Sequence, residues 1–210
     1  MTNKKLINPI VIVANGRYPS HTYPIEILNK AKTIICTDGS ANKLKNHGLQ
    51  PSLVIGDMDS ITNIKDFMES EFLHFPNQDN TDLEKVFDHC IKYGIKSVSL
   101  LGAVGTRDDH SLANLILLLK YYDRIKIKLI TDNFTIECIK GKQTFSSIPQ
   151  QTISLMAVYR VKSVTTKGLK FPLKRQSMIP SGMGVSNLAI GNQFTIKSTG
   201  KLLLFRSHSS

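Results

Sequence analysis

Hydrophobic and polar positions alternate between two periods along the first 131 residues. Short apolar runs at 9–13, 33–36 and 53–55 are typical of strands that are buried on both faces. Runs of the same kind follow at 72–75, 98–101 and 125–130. We therefore predict six strands in this part of the chain.

Helical periodicity separates the later runs. Apolar residues at 83, 86, 87, 90 and 91 share one helix face, with a Thr81-x-x-Glu84 capping box before them and Gly94 after them. The same spacing recurs after Asp109. Strand–helix alternation predicts an α/β domain over 1–131, with a mostly parallel, Rossmann-like sheet and flanking helices.

From residue 132 the pattern changes to closely spaced strand-like segments without a helical period. They lie at 134–139, 143–147, 152–158, 161–166, 186–190, 194–197 and 201–205. Gly141, Gly191, Asn192 and Gly200 are interpreted as turns between them. This pattern predicts an all-β sandwich domain over 132–210.

The composition is that of a globular protein, with 41% hydrophobic and 20% charged residues. Unbroken apolar runs such as 115–119 are much shorter than the roughly 20 residues that cross a bilayer, and we expect no membrane partner and no secretory signal. The odd number of cysteines, three, indicates reduced thiols and a cytoplasmic protein.

Positive charge is concentrated in the second part of the chain. The net charge is +11, and residues 132–210 carry 11 Lys and Arg against two acids, Asp132 and Glu137. A basic surface can bind nucleic acid. The basic residues are scattered, however, and few aromatic residues accompany them, so a solubilising surface is the favoured interpretation.

Aspartates follow four of the predicted strands. Asp38 comes after the second, Asp57 and Asp59 after the third, Asp82 after the fourth and Asp109 after the fifth. Ligands of open parallel sheets bind beyond the carboxyl ends of the strands, so these carboxylates are expected at one edge. Their mutual repulsion favours a bound cation. The expected cation is Mg²⁺, which binds through carboxylates and substrate phosphates.

The same edge offers features that bind phosphate. Gly39 and Gly102 permit a close backbone approach, and Ser40 with Asn42 is interpreted as the opening of a helix whose N-terminal amides favour anions. Arg107 supplies a planar fork for phosphate oxygens. Together with a metal ion, these groups are typical of phosphoryl transfer. The P-loop, dinucleotide-binding, zinc-protease and serine-hydrolase motifs are absent from the sequence.

Four motifs in this order resemble the thiamine pyrophosphokinase family. They are Thr-Asp-Gly-Ser-Ala-Asn (37–42), Gly-Asp-Met-Asp-Ser (56–60), Gln-Asp-Asn-Thr-Asp-Leu-Glu-Lys (78–85) and Gly-x-x-Gly-x-Arg-x-Asp-His-x-Leu-Ala-Asn (102–114). Looser similarity extends over 168–173 and 185–187. The resemblance implies that ATP, as co-substrate, gives its pyrophosphoryl group to the hydroxyl of thiamine, with release of AMP.

The resemblance also implies a role for individual residues. Mg²⁺ ligands are implied at Asp57, Asp59 and Asp82. Contacts to the nucleotide or its phosphates are implied at Asp38, Ser40, Asn42, Arg107, Asp109 and Asn114. Gln78 and Thr81 would lie near thiamine or the transferring group. Phe171, Ser186 and Asn187 would bind thiamine from the partner subunit of a homodimer, with active sites at the subunit interface.

Three points stay open at this stage. Either Asp82 or Asp109 could accept the hydroxyl proton. An enzyme of the same architecture could transfer only the γ-phosphoryl group, with ADP as the product, or could act on a related pyrimidine or thiazole alcohol. A nucleic-acid-binding module would explain the basic domain and leave the four acidic motifs unexplained.

Phe171 stands where the family generally has tryptophan, which reduces the stacking area.

Overall fold

Strands and helices alternate from Ile10 to Ile130 in this computed structural model, which describes residues 5–75 and 79–208. The strands are β1 (Ile10–Val13), β2 (Thr33–Thr37), β3 (Leu53–Gly56), β4 (Glu71–His74), β5 (Ser97–Leu101) and β6 (Lys126–Ile130). The helices are α1 (Thr22–Asn29), α2 (Asp38–Asn46), α3 (Asp82–Lys92) and α4 (Asp108–Tyr121), with a 3₁₀ turn at Ile64–Phe67. The predicted alternation is confirmed. The pattern does not predict α1, which holds Pro24 in its first turn.

Pairing among these strands is parallel throughout, in the order β6-β5-β1-β2-β3-β4. The prediction of a parallel sheet is therefore confirmed. The chain starts on β1, moves outward to β4, and then returns to the other side of β1 as β5. The chain consequently leaves β1 and β5 in opposite directions along the sheet, and open parallel sheets bind their ligands at the carboxyl ends of two such strands.

Burial follows the position of a strand in the sheet. Every residue of β1, β2 and β3 is buried, as their continuous apolar runs predict. The prediction of burial on both faces is wrong for β4, where no residue is fully buried, and for β6, where Lys126 and Lys128 are exposed. An apolar run does not show whether both faces of a strand become covered in the folded chain.

The strands after residue 132 are joined by antiparallel pairing. They are β7 (Phe134–Ser146), β8 (Thr152–Met156), β9 (Val161–Lys167), β10 (Gln176–Met178), β11 (Asn187–Leu188) and β12 (Gln193–Ser207). Between 133 and 208 the structure has strands and loops and no helix, so the all-β prediction is confirmed. The long strand β12 pairs with β7 along its length, with β9 near its start and with β8 near its end.

Two of the predicted turns are wrong, because Gly141 and Gly200 lie inside the long strands β7 and β12. Ser198 pairs with Gly141 and Leu202 with Ile139, so three residues of β12 stand opposite one residue of β7. Gly141 has a φ of +79°, which suits this irregularity. Both glycines therefore bend a continuous strand pair instead of ending it.

The described chain divides into two compact units. The first unit comprises the chain up to Leu117 together with Asp123–Asp132. The second unit comprises Leu118–Tyr122 together with the chain from Asn133 onward.

The three cysteines are free thiols, and Cys36 and Cys90 are buried whereas Cys138 is partly exposed. No helix in 5–75 or 79–208 has the length and apolar character that a membrane crossing requires.

Candidate active site

A cleft of about 250 Å³ opens in the first unit at the carboxyl ends of β1 and β5. Its walls come from the segments that follow these two strands and from the first turns of α2, α3 and α4. Its lining includes Asn15, Asp38, Thr81, Asp82, Arg107 and Asn114. The reversal of strand order places this cleft where open parallel sheets bind their ligands.

Backbone hydrogen bonds join the segments after β1 and β5 into the back wall of the cleft. The N–H of Ala14 donates to the carbonyl of Leu101 at 2.9 Å, and the N–H of Gly16 donates to the carbonyl of Gly102 at 2.5 Å. Gly102 has a φ of +63°, and a Cβ there would lie 2.6 Å from the carbonyl oxygen of Ala14. A side chain at position 102 would therefore separate the two segments.

Three aspartates meet beside this cleft. Asp38, Asp57 and Asp59 each offer a carboxylate oxygen, and these oxygens all lie within 4.8 Å of one another. Asp38 is buried, Asp57 is partly buried and Asp59 is exposed, so the cluster is accessible from one side. Asp38 also lines the cleft. The cluster and the cleft consequently form one continuous site.

The motif Gly-Asp-Met-Asp-Ser builds this cluster through its backbone. Met58 has a φ of +67°, a left-handed conformation that a non-glycine residue adopts only at some cost. The chain thus turns between Asp57 and Asp59. Gly56 leaves room for Asp38, since a Cβ at position 56 would lie 2.9 Å from the Cβ of Asp38.

The environment of Asp38 raises its pKa. Burial raises the pKa of this carboxyl to about 6, and the negative charge of Asp82 and a side-chain hydrogen bond with Asp57 add to the rise. Hydrogen bonds from the N–H groups of Gly39, at 2.5 Å, and Ser60, at 3.4 Å, lower the pKa and only partly compensate. A divalent cation among these carboxylates would relieve the repulsion, so the residues present fit Mg²⁺.

Asp82 lies at the first position of α3 and lines the cleft. Its carboxylate is 3.0 Å from Nζ of Lys85, which also donates to the carbonyl of Phe75. Among the described residues, the group of oxygens within 4.8 Å contains Asp38 and not Asp82. Thr81 caps α3, and its N–H and hydroxyl both contact the carboxylate of Glu84. This is the capping box that the sequence predicts.

Arg107 and Asp109 form a two-point ion pair at the start of α4. Nε and Nη2 of Arg107 lie 3.1 and 2.6 Å from the two carboxylate oxygens of Asp109. These hydrogen bonds, with one from the N–H of His110, hold the pKa of Asp109 at about 2. Both side chains are about two-thirds exposed. The carboxylate therefore orients the guanidinium at the rim of the cleft.

Several residues that the sequence assigns to the nucleotide contact protein atoms in the structure. Ser40 is fully buried, and its hydroxyl oxygen lies 2.6 Å from the carbonyl of Val13 and 2.7 Å from that of Thr37. The amide of Asn42 bonds the carbonyl of Ser60 at 2.8 Å. The amide of Asn114 bonds the carbonyl of Ala103 at 2.7 Å. These bonds attach α2 and α4 to the segments that form the site.

Gly39 also serves close packing within the protein. It lies in the first turn of α2, which begins at Asp38, two residues before the predicted opening at Ser40. A Cβ on Gly39 would overlap the side-chain amide of Asn15. Asn15, which the sequence analysis does not single out, thereby reaches the cleft wall.

Two further residues that sequence reasoning missed support the cleft. Nζ of Lys43 donates to the carbonyls of Asn15 at 2.8 Å and Gly16 at 2.7 Å, and burial lowers the pKa of this amine. Its signal in the sequence is its position one helical turn after Gly39. The hydroxyl of Ser111 accepts from the N–H of Gly105 and donates to the carbonyl of Arg107, which fixes the loop before α4.

The predicted thiamine residues of the second unit are grouped around one loop. Phe171 is 61% exposed, and Nζ of Lys170 lies 5.6 Å from the centre of its ring. Asn187 is buried and hydrogen-bonded to the backbone of Phe171. Ser186 has a φ of +58°, and its N–H donates to the hydroxyl of Ser154. The remaining predicted thiamine residue, Gln78, lies outside the described residues.

Two family models match the chain. "Thiamin pyrophosphokinase, catalytic domain" matches residues 25–129, and "Thiamin pyrophosphokinase, substrate-binding domain" matches residues 133–205. Thiamin pyrophosphokinase 1 of Caenorhabditis elegans is 25% identical over 191 residues, which cover 83% of this chain and 79% of the relative. Thiamine pyrophosphokinase of Bacillus subtilis is 27% identical over 191 residues, which cover 82% of this chain and 86% of the relative.

Solved structures resemble the chain over nearly its whole length. The crystal structure of thiamine pyrophosphokinase from Bacillus subtilis has a TM-score of 0.80 and 25% identity, and the match covers 96% of this chain and 99% of that one. Thiamin pyrophosphokinase from Candida albicans has the same TM-score at 17% identity, with 99% and 96% covered, which supports the fold alone.

Proposed function

The chain belongs to the thiamin pyrophosphokinase family, and on that basis we propose that it transfers the pyrophosphoryl group of ATP to thiamine. The thiamine hydroxyl oxygen attacks the β-phosphorus, the bond from that phosphorus to the α–β bridging oxygen breaks, and AMP leaves. The hydroxyl proton passes to a base on the enzyme. The products are thiamine diphosphate and AMP.

One observation carries the proposal. Three carboxylates lie within 4.8 Å of one another at the margin of a cleft that Arg107 also lines. An anionic substrate would be repelled by the carboxylates alone, so the combination suits a metal-bound polyphosphate whose outer oxygens meet the guanidinium.

Mg²⁺ is proposed as the metal, and Asp57 and Asp59 as its ligands. Asp82 is the third ligand that the family motif implies, whereas Asp38 is the third carboxylate of the cluster in the structure. When bound, the ion would neutralise the negative charge that develops on the phosphate oxygens. Replacement of Asp38 and of Asp82 by asparagine, each followed by Mg²⁺ titration, separates the two candidates.

The proton acceptor is proposed to be Asp82 in preference to Asp109. Both oxygens of Asp109 are engaged by Arg107, and its pKa of about 2 makes it a weak base. Asp82 lines the cleft, where an attacking hydroxyl would lie. Asp109 then acts by orienting Arg107, and Thr81 lies beside Asp82 at the start of α3.

The division of labour between the domains is part of the same proposal. Residues 1–131 would bind ATP and Mg²⁺, and residues 132–210 would bind thiamine and form a homodimer with active sites at the subunit interface. We also propose that the first domain has a Rossmann-like fold and that the second is a sandwich. The switch in strand order and the two sets of partners along β12 support these two descriptions. Free thiols suit a cytoplasmic location.

The products of the reaction test this proposal. Purified protein with thiamine, ATP and Mg²⁺ is expected to yield AMP and thiamine diphosphate in equal amounts, resolved by chromatography. A chelator should abolish both. ADP with thiamine monophosphate would instead identify a γ-phosphoryl kinase. Salt-sensitive binding of RNA or DNA without turnover would support a binding module.

Replacing Phe171 by alanine is expected to raise KM for thiamine about tenfold or more, because stacking of an aromatic base on an aromatic side chain contributes about 1–3 kcal/mol. KM for ATP should change much less. Steady-state kinetics with each substrate varied in turn measures both constants. Tyr159→Ala is the matched control, since Tyr159 is an equally exposed aromatic of the same unit. An unchanged KM for thiamine would remove Phe171 from the site.

A further inference from the structure

The loop that carries Phe171 is held by a side chain at its exposed end. Backbone bonds attach the start of the loop, since the N–H of Lys170 donates to the carbonyl of Leu188 at 2.8 Å and the N–H of Ile190 donates to that of Gly168 at 3.0 Å. At Phe171 this backbone pairing stops, and the side chain of Asn187 replaces it.

The side-chain amide of Asn187 hydrogen-bonds both the N–H and the carbonyl of Phe171. Its Oδ1 accepts from the N–H of Phe171 at 3.0 Å, and its Nδ2 donates to the carbonyl of Phe171 at 2.7 Å. The same Oδ1 accepts from the N–H of Leu188 at 2.9 Å. Both lone pairs of the oxygen are thus in use. A side-chain amide bound in this way takes the place of one further backbone pair in a β-ladder.

Burial also separates Asn187 from a substrate. Asn187 is 7% exposed, whereas Phe171 is 61% exposed. The left-handed backbone of Ser186, whose N–H donates to Ser154, precedes Asn187 in the chain and supports its inward orientation. The ring of Phe171 therefore faces solvent from a backbone that the amide of Asn187 holds at Phe171 itself and that Thr166 holds two residues later, at Leu173.

We propose that Asn187 is a positioning residue that presents the Phe171 ring to thiamine and does not contact thiamine itself. The inference rests on the proposed function, because it takes Phe171 as the thiamine-stacking residue. An exposed loop that is already ordered has less conformational freedom to lose when a ligand stacks on its aromatic side chain. Asn187 supplies that order before thiamine binds.

A double-mutant cycle distinguishes positioning from direct contact. Asn187→Ala should raise KM for thiamine about fivefold, as expected for loss of roughly one net hydrogen bond, with KM for ATP nearly constant. In the Phe171→Ala background the same change should add little, because Asn187 acts through Phe171. If Asn187 contacted thiamine directly, the two effects would multiply, and that result would overturn the inference. Asn192→Ala, at an exposed position of the same unit, is the control.

A fluorescence measurement separates this inference from the proposed function. The chain contains no tryptophan, so Phe171→Trp introduces a single reporter at the loop. Adding Asn187→Ala should lower the anisotropy of Trp emission, because the loop gains mobility. Unchanged anisotropy, in a variant whose circular dichroism and Tm show that it folds, would overturn the positioning role.

Thiamine then tests the premise independently. If thiamine quenches the emission of the Phe171→Trp protein and binds more weakly after Asn187→Ala, the result supports both the positioning role of Asn187 and the thiamine role of Phe171. If anisotropy falls on Asn187→Ala but thiamine alters neither emission nor KM, Asn187 still positions the loop and the thiamine role of Phe171 fails. Asn187→Asp, which keeps the acceptor for the N–H of Phe171 and loses the donor, should give an intermediate anisotropy and provides a second variant should Asn187→Ala not fold.

Discussion

Asp57→Asn and Asp59→Asn are each expected to lower kcat about 10³-fold. A metal ion contributes several kcal/mol to the stabilisation of charge on a transferring phosphoryl group, and each 1.4 kcal/mol or so corresponds to a tenfold change in rate. Both side chains reach the carboxylate cluster from one turn at Met58, so either change replaces one of its three carboxylates by a neutral amide. Single-turnover kinetics at saturating ATP and thiamine measures the loss.

Metal binding provides a readout that does not depend on turnover. Calorimetric titration with Mg²⁺, or with Mn²⁺ followed by electron paramagnetic resonance, should show weaker binding to both variants, and excess Mg²⁺ should restore part of the activity. Asp66→Asn is the control, because Asp66 forms a surface ion pair with Lys45 and pairs of that kind contribute little. Near-normal activity of either variant at limiting Mg²⁺ would show that the metal assignment is wrong.

Arg107→Ala is expected to lower kcat/KM for ATP about 10²- to 10³-fold. The guanidinium is aligned in advance by two bonds to Asp109, and removal of a comparable arginine from a phosphoryl-transfer site has effects of about 10³-fold or more. Arg107→Lys should recover little, because an ammonium group cannot make a planar two-point contact with phosphate oxygens. Initial rates with ATP varied at saturating thiamine measure the effect.

Asp109→Asn should be milder than Arg107→Ala, because the arginine remains and loses only its alignment. We expect a loss of about tenfold, the lower range for a residue that orients a ligand-binding group. A loss as large as that of Asp82→Asn, together with a shifted pH–rate profile, would instead make Asp109 the proton acceptor. Arg124→Ala is the matched control for Arg107→Ala, since Arg124 also pairs with an aspartate, Asp88, on the surface at 3.1 Å.

Local sequence signals predicted the framework of the first unit. Continuous apolar runs identified the parallel strands, and the box formed by Thr81 and Glu84 identified the start of α3. Both depend on interactions over a few residues, which leave a period or a spacing in the sequence. The strands β7 and β12 were harder to predict. A glycine between two apolar segments predicts a turn, and only the cross-strand pairing on either side of Gly141 and Gly200 shows that each lies within a continuous strand.

For the site, the sequence predicted which residue types lie at the sheet edge better than it predicted which of them contact one another. The aspartates at the strand ends could be assigned to one edge from the sequence, because parallel strands carry their carboxyl ends to the same side. That Asp38 joins Asp57 and Asp59 depends on the space above Gly56 and on the left-handed Met58. Neither the space nor the backbone angle is visible in the motif.

The sequence by itself determined the strand–helix alternation of the first unit apart from α1, the change to an all-β pattern after residue 132 and the motifs that resemble one family. These properties reside in neighbouring residues. Tertiary structure alone decided that Ser40 bonds inward to Val13 and that Asn187 holds the backbone of Phe171. The physical reason is that a polar side chain leaving water must bond to whichever partner folding places beside it, and those partners are 27 and 16 residues away.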